Sequence, residues 1–396
     1  MVHGSHRLLT PFRAGLVFSA VRLLPSSFSF IYLLGQGISI ADVSNARLIQ
    51  LIALLVLEVP CGVLADRFGP RWSFRLSVLT SASWLGVMTV VDGFAILVVA
   101  ELLNAVALSL FSGSFEMLLR DTHNAKNPLA NFAKHQALWI AIASVAGAFF
   151  ATAMSRQAAW ILAALIQCVL FLALWRDARN HRSKSSSRPS PDVLKTSVML
   201  ILCYRTARAI PVRLWATFIA ATVVFDVTLQ FWQPIVVIQG VPSESNLALL
   251  LISLVVMAAM SVGSALAEKA SARRLVARTF ALLPLLLIAM TLFDGNARLI
   301  FTAVTILLLV IISTALQNRA AFQITTAVRG NAEVTAFSLI SALARVLSGV
   351  LIVLVGTFMS TSPSVVVVMI ILTAIAAFSI LVGGSRPEAL PLTDRI

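Results

Sequence analysis

Runs of about 20 mostly apolar residues recur along the chain, each closed by a short polar or charged segment. That length is what an α-helix needs to cross the hydrocarbon core of a bilayer. The runs predict twelve membrane helices, over 13–35, 44–63, 73–91, 95–118, 132–154, 157–175, 210–237, 246–267, 276–293, 298–317, 333–358 and 363–383. The apolar residues come in blocks and not in alternation, which excludes an outer-membrane barrel. The first block is long, contains Arg22 and Pro25, and has no small-residue cleavage site, so no secretory leader is expected.

Composition supports lipid as the solvent. Of 396 residues, 59% are hydrophobic and 12% charged, against about 25% charged in average globular chains. The net charge of +14 would suggest nucleic acid on a soluble protein. Its distribution changes that reading. With the N-terminus inside, all Lys and Arg residues fall on the cytoplasmic side except Arg47, Arg156 and Arg298 outside, and Arg22 and Arg345 within the membrane. This asymmetry predicts both termini in the cytoplasm. No soluble domain is left to hold a duplex, so no nucleic-acid partner is expected. Cys61, Cys168 and Cys203 sit in apolar surroundings and read as small buried residues. The histidines (His3, His6, His123, His135 and His181) all map to tails or loops, and no metal site is expected.

Between the sixth and seventh runs the sequence changes to RDARNHRSKSSSRPSPD, Arg176 to Asp192, a solvated linker in composition. The apolar run Val193–Tyr204, with Lys195, Arg205 and Arg208 around it, is too short to span. It reads as an amphipathic helix on the cytoplasmic leaflet. The predicted organisation is a six-helix bundle over 1–176, a linker over 177–208 and a second six-helix bundle over 209–396. A repeat supports the division. GVLADRFGPR (Gly62 to Arg71) follows the second run and SALAEKASAR (Ser264 to Arg273) follows the eighth. Leu64, Ala65, Asp66, Arg67 and Arg71 then align with Leu266, Ala267, Glu268, Lys269 and Arg273. Duplicated halves are a transporter architecture.

The segment Gly62-Val-Leu-Ala-Asp66-Arg67-Phe-Gly69-Pro-Arg71 resembles the signature loop of the major facilitator superfamily, G-x-L-A-D-R-x-G-R-[KR], and lies where that family carries it. Pro70 departs from the pattern. With twelve spans and a central linker, the resemblance covers the whole chain. It implies an all-α integral membrane fold, with twelve transmembrane helices in two pseudo-symmetric six-helix bundles. It also implies that spans one, four, seven and ten line a cavity, with three, six, nine and twelve peripheral. Gly62, Asp66, Arg67, Gly69 and Arg71, with Glu116 and Arg120, would then form a cytoplasmic latch that breaks when the cavity opens inward. The glycines would permit close helix approach and a tight turn. Glu58-Val-Pro60, Ser112-Gly113, Glu116 and Asp121 resemble a bacterial, exporter-rich branch.

Charged side chains at the bilayer centre cost about 2.5–3.5 kcal/mol on insertion scales and usually face a cavity or a partner. Helical spacing extends each into a polar stripe: Arg22, Ser26 and Ser29; Glu101 and Asn104; Asp226, Gln230 and Gln233 beside Trp232; Ser341, Arg345 and Ser348. Pro25 and Pro234 would loosen their helices and turn carbonyls toward the cavity. Two readings stay open. In one, Arg22 pairs statically with Glu101, or Arg345 with Asp226. In the other, Asp226 and Glu101 bind a proton or a cationic group, with Asp226 favoured and Arg22, Ser26, Asn104, Gln230, Trp232, Gln233 and Arg345 lining the substrate cavity. Trp139 and Trp215 are further candidates for that lining.

No nucleotide-binding loop and no catalytic constellation is present in the sequence. The expectation is therefore a non-enzymatic secondary transporter, monomeric, without cofactor and driven by a proton gradient across a bacterial inner membrane. Its expected partners are a small-molecule substrate and the lipid bilayer. The drug-antiporter resemblance is incomplete: span five has Ala146-Gly147-Ala148 without proline, and span four has Glu101 where the family's antiporters carry arginine. Three functions remain. The first is proton-coupled export of a small amphipathic or cationic molecule. The second is proton-coupled import of an anionic metabolite held by Arg22 and Arg345. The third is a non-transporting membrane sensor or assembly partner.

Overall fold

The computed structural model describes residues 10–122, 128–180, 211–267, 280–327, 333–361 and 364–383. Among the described residues the secondary structure is helical, and the helices follow the predicted runs in order. The first run is α1 (Pro11–Arg22), a 3-10 turn (Leu24–Ser27) and α2 (Ser29–Gly35). The rest of the first half is α3 (Ile40–Phe68), α4 (Pro70–Met88), α5 (Phe94–Thr122), α6 (Pro128–Ala153) and α7 (Arg156–Asn180). The second half is α8 (Val212–Ile238), α9 (Asn246–Ala267), α10 (Leu283–Leu292), α11 (Gly295–Ala327), α12 (Glu333–Thr361) and α13 (Val365–Gly383). Helices are the local solution here because no water reaches the hydrocarbon core, so each spanning segment must satisfy its own backbone.

Among the described residues, seven helices are long and apolar enough to cross a membrane, and an eighth if the bent first pair is one span. Leu138–Ala153, Leu283–Leu292 and Val365–Leu381 are shorter apolar helices. The cytoplasmic linker and amphipathic helix expected at 177–208 fall mainly outside the described residues, although α7 continues to Asn180. Cys203 and the second copy of the repeat beyond Ala267 also lie outside.

Local chemistry sets the helix ends. Ser39 caps α3 by accepting from Asp42 N at 3.0 Å, with Asp42 in the first turn where the helix dipole favours an acid. Gly69 separates α3 from α4 with φ 91° and ψ 149°, a conformation only glycine adopts without strain, and Pro70 opens the next helix.

The chain divides into two compact units, Met1–Ser190 with Pro242–Leu254, and Pro191–Val241 with Val255–Ile396. The first unit is built on α4 against α5 and α7, α3 against α5, and α1 against α6. Its interior includes Phe18, Phe74, Phe115 and Phe132, with Phe111 stacked between Phe18 at 4.5 Å and Phe115 at 4.6 Å. The segment Pro242–Leu254 joins this unit, where Arg156 donates to Asn246 Oδ1 at 2.8 Å and to the Ser243 carbonyl. In the second unit α8 is the central helix, packed by α11, α12 and α13.

Cys61 is buried as expected, whereas Cys168 is exposed. The exposed residues Ile161, Leu165, Val169 and Leu172 on α7 show why. Cys168 belongs to an apolar surface, and in lipid that surface needs no burial to be stable.

Candidate functional site

Span one leaves the α-helix at the 3-10 turn that holds Pro25, and the parts on either side of Phe28 meet at 51°. Proline cannot donate the backbone bond that would continue the helix. The carbonyls expected to turn toward a cavity are covered by α6 instead. Ser144 Oγ lies 3.2 Å from the Leu23 carbonyl oxygen and 2.8 Å from Ser26 Oγ. Gly147 allows this approach, since a Cβ there would lie 2.1 Å from the Leu24 carbonyl oxygen. Pro234, by contrast, sits inside an unbroken α8.

Arg22 ends α1 at the break and is 8% exposed. Its guanidinium donates to Asn104 Oδ1 on α5 and to Ser81 Oγ on α4 at 3.3 Å. It also lies 4.8 Å from the Trp84 ring centroid and 5.3 Å from that of Phe18. Gln167 on α7 closes the group, donating to the Phe18 carbonyl at 3.0 Å and to Ser81 Oγ at 3.5 Å. Asn104 Nδ2 in turn donates to Glu101 Oε2 at 3.2 Å. Asn104 therefore stands between Arg22 and Glu101, and the two charges form no direct ion pair. Glu101 is half-buried. Arg47 acts on it electrostatically as well as Arg22. Arg47 had read only as an external topology charge. It lies on α3, where it donates to the buried Gln50.

On α8, Asp226 and Gln230 share one side at i, i+4, and both are half-buried on a helix whose other sides are largely covered. Thr222, a turn earlier on that side, accepts from Gln317 of α11 at 3.2 Å. Gln233 also lies on that side and is buried. Trp232 is 5% exposed and falls about 120° away around the helix, so it packs and does not share the Asp226 stripe. Trp215 is half-buried on the Asp226 side, and Trp139 is exposed on α6 beside Leu138 and Ile142. Arg345, on α12, is exposed.

The residues expected to form the latch are described in part. Gly69 makes the tight turn. Gly62 makes no close approach among the described residues, since a Cβ there meets nothing within 4 Å. Arg67 and Arg71 are exposed, with Arg67 5.5 Å from the Phe68 ring centroid. The side chains of Asp66, Glu116 and Arg120 lie outside the described set.

A family model for the Major Facilitator Superfamily matches residues 12–349, most of the chain. The chain belongs to the major facilitator superfamily. Among curated proteins it is 25% identical over 232 residues to a Bacillus subtilis (strain 168) protein described as an uncharacterized MFS-type transporter, YxaM. That match takes in 55% of this chain and 56% of the relative, so the chain spans about half the length of the curated relative it matches. Among solved structures, the nucleoside transporter NupG superposes with a TM-score of 0.64 at 12% identity, covering 94% of this chain and 96% of NupG. A bacterial homolog of the human lysosomal transporter Spinster, in an inward-facing and occupied conformation, gives 0.66 at 12% identity and 94% of each chain. At these identities the likeness establishes the major facilitator fold and leaves the site chemistry to this chain's own residues. The superfamily fold accounts for a multi-pass membrane protein.

Proposed function

We propose that the chain is a secondary transporter working by alternating access, coupled to protons and exporting a small amphipathic or cationic molecule. In this reading it is a monomer in a bacterial inner membrane, with both termini cytoplasmic, and needs no cofactor beyond the proton gradient. Family membership and the transporter description of its relative support transport as such.

The observation that carries proton coupling is the bonding of Glu101. Its direct partner is the neutral amide of Asn104, and its cations act on it only through space. A carboxylate bonded directly to a buried arginine would strand that charge on taking a proton. Glu101 can take one while Asn104 continues to accept from Arg22. Asp226, half-buried on the central helix of the second unit, supplies a second carboxylate within a span. The two acids would bind protons, or a cationic group of the substrate, in alternation. The cytoplasmic latch around Asp66 and Arg67 belongs to the same reading. Import of an anion held jointly by Arg22 and Arg345 is less favoured, since the Arg22 guanidinium is buried and already bonded to Asn104 and Ser81.

The test is transport in proteoliposomes under an imposed pH gradient, with substrates drawn from a toxicity screen in a host lacking efflux pumps. Glu101→Gln and Asp226→Asn are expected to lose gradient-driven movement and to retain exchange at equal concentrations. Full gradient-driven transport in both variants would refute the coupling.

A further inference from the structure

Two kinds of exposed residue occur on α12. Leu343, Leu347, Val350 and Leu354 are exposed and recur at i, i+4, i+7 and i+11, a single apolar stripe suited to lipid. Arg345 is also exposed, but at about 100° per residue it lies roughly 200° round the helix from Leu343. On its own side Ala342, Ser348, Gly349 and Ile352 are buried. The guanidinium therefore opens from the packed side of the helix, away from the lipid stripe.

Depth makes this exposure informative. Arg345 follows the first residue of α12, Glu333, by about 18 Å of helix, in an element about 43 Å long. A cation at that level of a bilayer is retained where it is paired or meets water. Among the described residues Arg345 has no hydrogen-bond or ion-pair partner, and Ser348 on the same stripe donates its hydroxyl to the Ala344 carbonyl at 3.0 Å. Arg22 shows the alternative, a buried arginine with acceptors on two helices and two aromatic rings around it.

We propose that Arg345 anchors an anionic group of the transported molecule, a carboxylate or a phosphate, through the two-pronged contact a guanidinium makes with two oxygens of an oxyanion. This rests on the transport reading and narrows its substrate class to amphipathic molecules that carry an acid group, zwitterions included.

Equilibrium binding to the full chain in phosphatidylcholine nanodiscs tests this, with 2-naphthoate, naphthyl phosphate and the neutral 2-naphthamide as probes. The wild-type chain is expected to prefer the two anions over the amide. Arg345→Gln should weaken the anions roughly tenfold or more, as expected for losing one charge-assisted contact, and leave amide binding as it was. Arg345→Lys should fall between, and unchanged amide binding shows that both variants are folded. No anion preference in the wild type, including no binding of any probe, overturns the proposal. So does anion binding that survives Arg345→Gln. Competition by phosphatidylglycerol added to the discs would assign the site to a lipid headgroup and overturn it as well. No gradient is involved, so this result stands apart from the transport assay on Glu101→Gln and Asp226→Asn. Each can fail while the other holds.

Discussion

Replacing Asn104 with leucine tests whether Arg22 is structural. The substitution nearly conserves shape and removes the acceptor of Arg22 together with the donor to Glu101. Arg22 would keep Ser81 at 3.3 Å and its two aromatic neighbours. Hydrogen bonds to charged groups contribute about 1.5–3 kcal/mol, and a buried charge that loses its partner adds desolvation cost. A loss of about 3 kcal/mol is expected for Asn104→Leu. The compensating change is Arg22→Met, which removes the buried charge and keeps an apolar stem against Phe18 and Trp84. In the double variant neither a cation nor its acceptor remains, and most of the loss should be recovered. The coupling between the two positions is then expected to reach about 2 kcal/mol. Denaturant titration in mixed micelles, applied to the wild type, both single variants and the double, gives this cycle. Additive losses, or an Asn104→Leu cost below about 0.5 kcal/mol, would refute the structural role of the Arg22 group.

Two further predictions use the same titration. Gly147→Ala places a Cβ 2.1 Å from the Leu24 carbonyl oxygen, and such overpacking should cost about 1–3 kcal/mol. Gly62→Ala meets open space and is expected to be neutral or to gain up to about 1 kcal/mol, because alanine suits a helix better than glycine. Equal effects at the two sites would contradict the packing described at the span-one break. At Gly69 the backbone has φ 91°. Gly69→Ala should therefore cost about 1–3 kcal/mol, and a neutral result would mean that the turn relaxes to another conformation.

The spans could be read from sequence because each one meets its largest energetic requirement, backbone satisfaction in lipid, within a single continuous run. The predicted run 246–267 coincides with α9, and 210–237 differs from α8 by no more than two residues at either end. Arg22 and Glu101 stand out in the sequence by the same logic, since lipid excludes unpaired charge. Ser81, Ser144 and Gln167 do not, because serine and glutamine are cheap enough in a membrane helix to carry no signal of their own. Their roles arise where α4, α6 and α7 meet the span-one break, and those contacts depend on how the helices pack. Arg47 carries no such signal for a different reason. Near a helix end it satisfies the topology rule, so nothing in its position required a second role.

The two intramembrane arginines had the same standing in the sequence, each an isolated cation with serines at helical spacing. In the structure their surroundings differ in kind. Arg22 ends α1 just before the 3-10 turn, where α4 and α5 come close enough to reach it, and its charge is answered by neutral acceptors and aromatic faces. That arrangement leaves Glu101 bonded to an amide and able to change protonation without dismantling an ion pair. Arg345 sits on a continuous helix, where among the described residues no neighbour's acceptor reaches it, and it stays exposed on the packed side. A transporter that exchanges a solute for protons needs both conditions: a charge network that holds its shape while one carboxylate titrates, and a charged group with donors still open to the solute. The first unit has the geometry for one, and α12 of the second unit has the geometry for the other.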